Sequence, residues 1–374
     1  MASLALRNLV HDRVRLTVTL TGVIFAVVLV AIQVGLFIGF QTATSNVIDN
    51  SKADLWVTSK DVGYIESGLP FSERKLYQAL AVPGVVTGEK YIAQFGRWRR
   101  PDGGEENTEI LGFDPDKGLG GPWNVVEGRA DYVKQSDAVI IDRLYQKKLG
   151  VTHLGQVCEI RGRRARVVGF TKGIRTFTTA PTVFTSFKNA QNYVSLDVDR
   201  TTYLLLKLAP GADVEDVRRE LKTRIKDVDV WTTAEFSRLT RNYWMFGTGA
   251  GITVMIAAVL GLIVGVVVVA QTIYAATIDH IREYGTLKAM GATNGYIYRV
   301  ILKQAVTSAV IGYAVGITVA IGAEIASRSG GAAILLPTTV RIGLFGLTLA
   351  MCVSAAMVSI NKVTKIDPAM VFKG

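Results

Sequence analysis

Residues Asn242–Ile278 read NYWMFGTGAGITVMIAAVLGLIVGVVVVAQTIYAATI, 37 consecutive positions without an Asp, Glu, Lys or Arg. A helix needs about 20 apolar residues to cross the hydrocarbon core of a bilayer, so this stretch spans one with residues to spare. Three further charge-free stretches occur, Thr17–Phe40 (24 residues), Gln304–Ala323 (20) and Ile342–Asn361 (20). Four crossings in a chain of 374 residues, only 20% of them charged, define an α-helical membrane protein. Thr17–Phe40 is read as a retained helix. Its apolar run far exceeds the roughly 7–15 residues of a secretory signal, and no small-x-small site follows closely.

Four spans place both termini on one side. The segments on that side hold ten basic residues: Arg7, Arg13 and Arg15; Arg282, Lys288, Arg299 and Lys303; Lys362, Lys365 and Lys373. The short opposite connection 324–341 holds Arg328 and Arg341. Short basic loops stay in the cytoplasm while long domains translocate regardless of charge, so the termini are assigned inside and the long segment after Phe40 outside. The expected order is 1–16 cytoplasmic, 17–40 first span, 41–241 outer domain with stalk, and 242–278 stalk end and second span. Then follow 279–303 as a cytoplasmic loop, 304–323 third span, 324–341 outer loop, 342–361 fourth span and 362–374 cytoplasmic tail. The formal charge of +11 fits this topology better than nucleic acid, because residues 41–241 carry 30 Lys+Arg against 26 Asp+Glu.

The spans carry little chemistry. Gln33 and Gln271 are isolated, and Glu324 stands near the outer end of the third span with Arg328 at i+4. A carrier coupled to protons or ions would place ionisable groups near mid-membrane. The spans instead show small-residue pairs suited to close helix packing: Gly35 and Gly39, Gly261 and Gly265, Gly312 and Gly316. As helix, the second stretch would measure about 55 Å. Its start, with Tyr243 and Trp244, reads as an aromatic belt. Thr232 or Thr233 and Glu235 supply helix-start chemistry before it. One helix is therefore expected to run from the outer domain into the membrane.

The outer domain reads as mixed α/β. Ala53–Thr58 alternates like a strand, and Ser72 is placed to cap a helix through Leu80, stopped by Pro83-Gly84. Ala138–Ile141 is a buried-strand run leading into a helical Asp142–Leu149 and a Gly150 stop. Gln156–Ile160 and Arg166–Phe170 form a hairpin around Arg161-Gly-Arg-Arg. Tyr203–Lys207, a helix Val214–Ile225 capped by Asp213, and Val228–Trp231 make a β-α-β unit. Two basic clusters stand out, Arg97, Arg99 and Arg100, and Arg161, Arg163, Arg164 and Arg166. Tyr91, Phe95 and Trp98 interleave with the first. The clusters suit a solvated hairpin face, or anionic lipid headgroups or an acidic partner. His11, His153 and His280 are too scattered for a metal site, and Cys158 and Cys352 lie in different environments, so neither metal nor disulfide is expected. No His-Glu-x-x-His, Gly-x-Ser-x-Gly or Cys/His pairing points to catalysis. No Gly-x4-Gly-Lys-[Ser/Thr] occurs either, so these residues hold no P-loop for ATP.

The loop after the second span, Thr277–Thr293, is the most informative short segment. Its pattern Glu283-x-Gly285-x-Leu287-x-Ala289-x-Gly291-Ala292 resembles the signature of the FtsX/MacB-type permeases, the four-span subunits of mechanotransmissive (type VII) ABC systems. The ending Ile366-Asp-Pro-Ala-Met-Val-Phe-Lys is similar to that family's usual ending. Ala5-Leu-Arg-Asn-Leu matches its N-terminal amphipathic cytoplasmic helix, and Ile32–Phe40 is most like the DevC branch. The resemblance implies a bacterial inner-membrane permease without its own ATPase site, with no cofactor in this chain and ATP and Mg on a separate ATPase subunit. It implies a second permease copy, as homodimer or heterodimer, a periplasmic membrane-fusion protein with an outer-membrane channel, and contacts with membrane lipids but not nucleic acid. The work implied is export of a lipid-like or other hydrophobic substrate. Lipoprotein extraction and signalling to cell-wall hydrolases are the alternatives.

In that family the ATPase docks on the loop between spans two and three, here Asp279, Arg282, Glu283, Tyr284, Gly285, Leu287 and Gly291. Tyr284 and Leu287 are expected to give the apolar contact, and the helix is expected to break at Gly285. A cysteine placed at Asp102 is predicted to react with a membrane-impermeant maleimide in intact spheroplasts, and one at Asn294 to stay unlabelled. The reverse pattern overturns the orientation.

Overall fold

The computed structural model describes residues 13–176, 178, 180–328 and 333–364; the N-terminal helix motif and the Ile366–Lys373 ending lie outside them. The chain opens with α1 (Arg13–Asp49), β1 (Leu55–Ser59), a 3-10 turn (Ile65–Ser67), β2 (Phe71–Ser72), α2 (Lys75–Leu80), β3 (Val85–Arg99) and β4 (Glu105–Phe113). There follow β5 (Val125–Gly128), β6 (Ala138–Asp142), α3 (Gln146–Leu149), β7 (Val157–Ile160), β8 (Arg163–Thr171), β9 (Thr182–Ser186) and α4 (Phe187–Val194). Next come β10 (Arg200–Thr201), β11 (Tyr203–Leu208), α5 (Val214–Arg224), β12 (Val228–Thr232) and α6 (Thr233–Asn242). A π turn (Tyr243–Gly247) precedes α7 (Ala250–Asp279), α8 (Ile281–Ala289), α9 (Asn294–Ser327) and α10 (Thr338–Thr364). Among the described residues two compact units result, one from 13–39, 252–328 and 333–364, the other within 40–251.

In the first unit α1, α7, α9 and α10 are each long and apolar enough to cross a membrane. With no water in the hydrocarbon, helices are the form in which such a segment satisfies its own backbone. They close around Val23, Ala26 and Val27 of α1, Val269 and Ile273 of α7, Ile301, Ala305 and Ala309 of α9, and Cys352, Ala355 and Ala356 of α10. The glycines set the approach distances. A Cβ on Gly312 would fall 2.5 Å from Val23, on Gly316 2.8 Å from Val27, on Gly261 2.8 Å from Gln33 and on Gly265 2.9 Å from Val30. Gly35 and Gly39 face a different neighbour. Added carbons there would strike Ile334 and the Ala333 carbonyl, in the extended segment before α10, and Leu335 N–H donates to the Gly35 carbonyl at 3.0 Å. These two positions thus accommodate a strap rather than a helix. Arg341 ties the strap down through Nε to the Leu336 carbonyl (2.7 Å) and Nη2 to Glu324 (3.1 Å), while Arg328 reaches Glu324 at 3.5 Å.

In the second unit a ten-stranded sheet runs β12-β1-β11-β3-β4-β9-β6-β8-β5, with β7 bonded to β3 and β8. The alternation of β1 and β11 explains why two cores form. Leu55, Val57, Leu204 and Leu206 face α5, with Val217 and Leu221, whereas Trp56, Tyr203 and Leu205 face the other way onto Phe236. The β11-α5-β12 unit is present, and β1 inserts between its strands, antiparallel to both. The longest pairing, β3 with β4, joins Ile92–Arg99 to Glu105–Gly112.

Several local expectations are corrected. The helix before Leu80 starts at Lys75, because Phe71–Ser72 pairs with Arg200–Thr201 and Ser72 belongs to that strand. The β7-β8 turn is only Arg161-Gly162, at φ +48° and +74°, so Arg163 and Arg164 sit in the strand. The helix entering the second span is not continuous. After α6 the Thr248 N–H reaches back to the Tyr243 carbonyl, and Gly249 takes φ +77°, which an L side chain rarely adopts. In α8 no break occurs at Gly285; the interruptions are at His280 and at Gly291, φ +93°.

Gly39→Ala is expected to cost about 1–3 kcal/mol by pushing the strap off α1. Gly322→Ala, with no heavy atom within 4 Å of the new carbon, is expected to leave the thermal midpoint in detergent nearly unchanged. Equal midpoints for the two variants would contradict the strap.

Candidate functional site

The segment between α7 and α9 is short because caps close both ends. The Thr293 hydroxyl accepts from Tyr296 N–H at the start of α9, and Met290 and Gly291 return to Thr286 and Lys288 at the end of α8. One side of α8 is committed to the protein's own interior. Tyr284 is 1% exposed, packs with Ile297 and Ile301, and donates from its hydroxyl to Gln304 Oε1 at 3.0 Å. Burial pushes its phenol well above the ordinary range, so it stays a neutral donor. Gly285 is buried beside it and Leu287 is half-buried against the same core. The expectation of apolar contact to a partner is therefore corrected for Tyr284, whose surface is spent on the helix bundle, while Leu287 keeps part of its side chain accessible.

The opposite face holds Arg282, Glu283, Thr286, Ala289 and Met290, all exposed, Met290 at 72%. Positions 282, 286, 289 and 290 fall on one side of a helix of 3.6 residues per turn. Asp279 is exposed just before it and Gly291 just after, and His280 Nδ1 lies 3.0 Å from Glu283 Oε1. The result is a small face with both signs of charge and one flexible apolar side chain at its edge. Met290 was legible as i+4 from Thr286 and i+8 from Arg282, but the glycine signature around it drew the reading elsewhere.

A second arrangement joins the end of α1 to α6 within the outer unit. Asp49 accepts from Ser45 Oγ at 2.7 Å and from Ser237 Oγ at 2.6 Å, and Arg241 Nη1 stands 3.0 Å from Ser45 Oγ and 3.6 Å from Asp49. The base of α6 is fixed by a capping box between Thr232 and Glu235, and Glu235 also pairs with Arg218 at 2.6 Å. The capping pair Thr232 and Glu235 was expected from the sequence; Ser45, Asp49, Arg218, Ser237 and Arg241 were not singled out there. Ser45 and Asp49 at i, i+4 were the available signal, without any indication of Ser237.

The two basic clusters do meet, since β3 pairs with β7 and the Arg161 N–H donates to the Arg97 carbonyl at 2.9 Å. They do not form a bare cationic patch. Arg97 pairs with Glu105, Arg99 with Glu159, Arg100 with Asp102, and Arg164 and Arg166 with Asp137, at 2.9–3.5 Å. Tyr91 and Trp98 are fully buried, and the Trp98 indole donates to the Leu149 carbonyl at 3.1 Å. These two aromatics belong to the core, while Phe95 is only partly buried.

Comparison with known proteins agrees with this architecture. Residues 16–224 match the MacB-like periplasmic core domain, and residues 255–368 match the FtsX-like permease C-terminal region. The chain is 26% identical over 392 residues to the ABC transporter permease Rv0072 of Mycobacterium tuberculosis, covering 99% of each. It is 24% identical over 385 residues to Rv2563 of the same organism, again covering 99% of each. Among solved structures, the periplasmic region of MacB from Actinobacillus actinomycetemcomitans aligns with a TM-score of 0.41 and 11% identity, covering 53% of this chain and 98% of that one. A MacB-type core domain set between one span and a further three, the last part of FtsX type, places the protein in a family: it belongs to the FtsX/MacB-type ABC transporter permeases.

Proposed function

We propose that this permease subunit couples a separate ATPase to an exporter for a lipid-like or other hydrophobic substrate, in the manner of the DevC branch. In this reading it sits in the cytoplasmic membrane with both termini inside. It pairs with a second permease copy, identical or related, and works with a membrane-fusion protein and an outer-membrane channel. ATP and Mg act on the partner; this chain contributes docking and motion. The exposed face of α8 carries the reading. Arg282, Glu283 and Asp279 supply charges of both signs, and Met290 supplies an unburied apolar contact, the composition of a small docking patch. The scarcity of ionisable groups in the spans supports work done outside the hydrocarbon rather than through an ion-coupled path. Docking at α8 would bias a two-state bundle, and the Asp49 network would hold α6 to the end of α1 while the bundle moves.

Glu283→Lys combined with Met290→Asp is expected to remove about 2–4 kcal/mol of ATPase binding, a thirty-fold or greater loss in co-purification. Tyr284→Phe, which keeps the buried ring, is expected to leave recovery of the ATPase unchanged. Undiminished recovery by the double variant would refute docking at this face.

Asp49→Ala leaves three donors without their shared acceptor. Amide exchange in α6 is expected to rise by the equivalent of about 1–3 kcal/mol, measured by hydrogen-exchange mass spectrometry. Unchanged protection would remove the network from the coupling path.

A further inference from the structure

The outer unit buries carboxyl groups that the proposed cycle does not use. Glu109 of β4 is 2% exposed, and its Oε1 has no hydrogen-bond partner among the described residues. Glu66 Oε2, in the 3-10 turn, is in the same position, and so are Trp56 Nε1, Tyr91 Oη and Thr182 Oγ1. The last three belong to fully buried residues of the surrounding sheet, with Thr182 directly opposite Glu109 and Tyr91 opposite Tyr203. Five unmet polar atoms around an aromatic core are far from the usual state, in which buried polar groups are paired. Two carboxyls in such a place hold a proton more cheaply than a charge.

The turn that carries Glu66 is clamped from both sides. Inside, Tyr203 donates its hydroxyl to the Ile65 carbonyl, and Trp56 packs edge-on against both Tyr91 and Tyr203 at 5.6 Å. Outside, Tyr64 stacks on Tyr243 at 3.9 Å and meets Trp244 edge-on at 5.3 Å, both residues of the π turn before Gly249. The Trp244 indole lies against the Glu66 carboxyl and favours its ionised form, which offsets part of the effect of burial. The titratable groups facing the pair are Tyr64, Tyr91 and Tyr203, with Tyr243 stacked behind Tyr64.

We propose that Glu66 and Glu109 form a proton-holding pair beneath the Tyr64–Gly68 turn, and that their ionisation releases this turn from Tyr243 and Trp244 and loosens the joint ahead of α7. Burial raises both carboxyls above the usual carboxylate range, and the charge of Glu66 raises Glu109 further. Burial also raises Tyr91 and Tyr203, so both stay neutral. A raised carboxyl binds protons in the closed turn that the open turn would release. The closed turn is therefore tightest below the ordinary carboxylate range and weakens as pH rises through the raised values, by up to about ten-fold per pH unit per group.

The purified full chain in nanodiscs tests this in two ways. Infrared spectra at pH 6 are expected to show a protonated carboxyl band that falls as pH rises, and that weakens in Glu109→Gln and in Glu66→Gln, the latter at a partly buried side chain. Hydrogen exchange of 61–68 and 243–249, corrected for its intrinsic pH dependence, is expected to rise at least about ten-fold from pH 6 to 9, and less than half as much in Glu66→Gln. Absence of the band, a flat exchange profile in the wild type, or an equal rise in Glu66→Gln would each overturn the proposal. The wild-type arms stand even where the Glu109 variant fails to fold.

Discussion

Lipid hydrocarbon offers nothing to hydrogen-bond with, and the rest of this structure follows from that. Segments that cross it must be helices and nearly free of charge, which confines charge to the ends of the spans. Glu324 obeys the rule by taking Arg341 and Arg328 as partners, and the same contacts fasten the strap that Gly35 and Gly39 admit. Packing inside the bundle rests on the absence of side chains, with Gly261, Gly265, Gly312 and Gly316 each meeting a residue of α1. α1 is thus the helix around which the other spans are fitted.

α8 divides its surface: Tyr284 anchors it to Gln304 and the bundle core, and the face from Arg282 to Met290 stays exposed. The proposed docking there would profit from this attachment, since force applied to a loose loop would be lost in local motion. In the outer unit, Asp49 gathers Ser45, Ser237 and Arg241, and the π turn and Gly249 interrupt the helix after α6. Glu66 and Glu109 lie under the turn that grips the joint, which makes the protonation of the outer core a means of setting its stiffness.

The sequence by itself determined the number of spans, the inserted α/β domain and the family signature. Charge exclusion from hydrocarbon and helix length act on each segment locally and leave a trace in every stretch of about 20 residues. It also determined Asp213 and Gly150 as a cap and a stop, because caps are read from neighbouring residues. Tertiary structure alone decided which side of α8 faces out: Tyr284 and Met290 are both plausible contacts until Gln304, twenty residues on, claims one of them. It alone paired five of the seven clustered arginines with acids, Glu159 coming to Arg99 through strand pairing and Asp137 to Arg164 and Arg166. It alone assembled Glu66, Glu109 and Tyr91, which lie on three separate elements, and joined Asp49 to Ser237 across 188 positions. Contacts between residues far apart in the chain have no local pattern, so only the folded sheet and bundle reveal them.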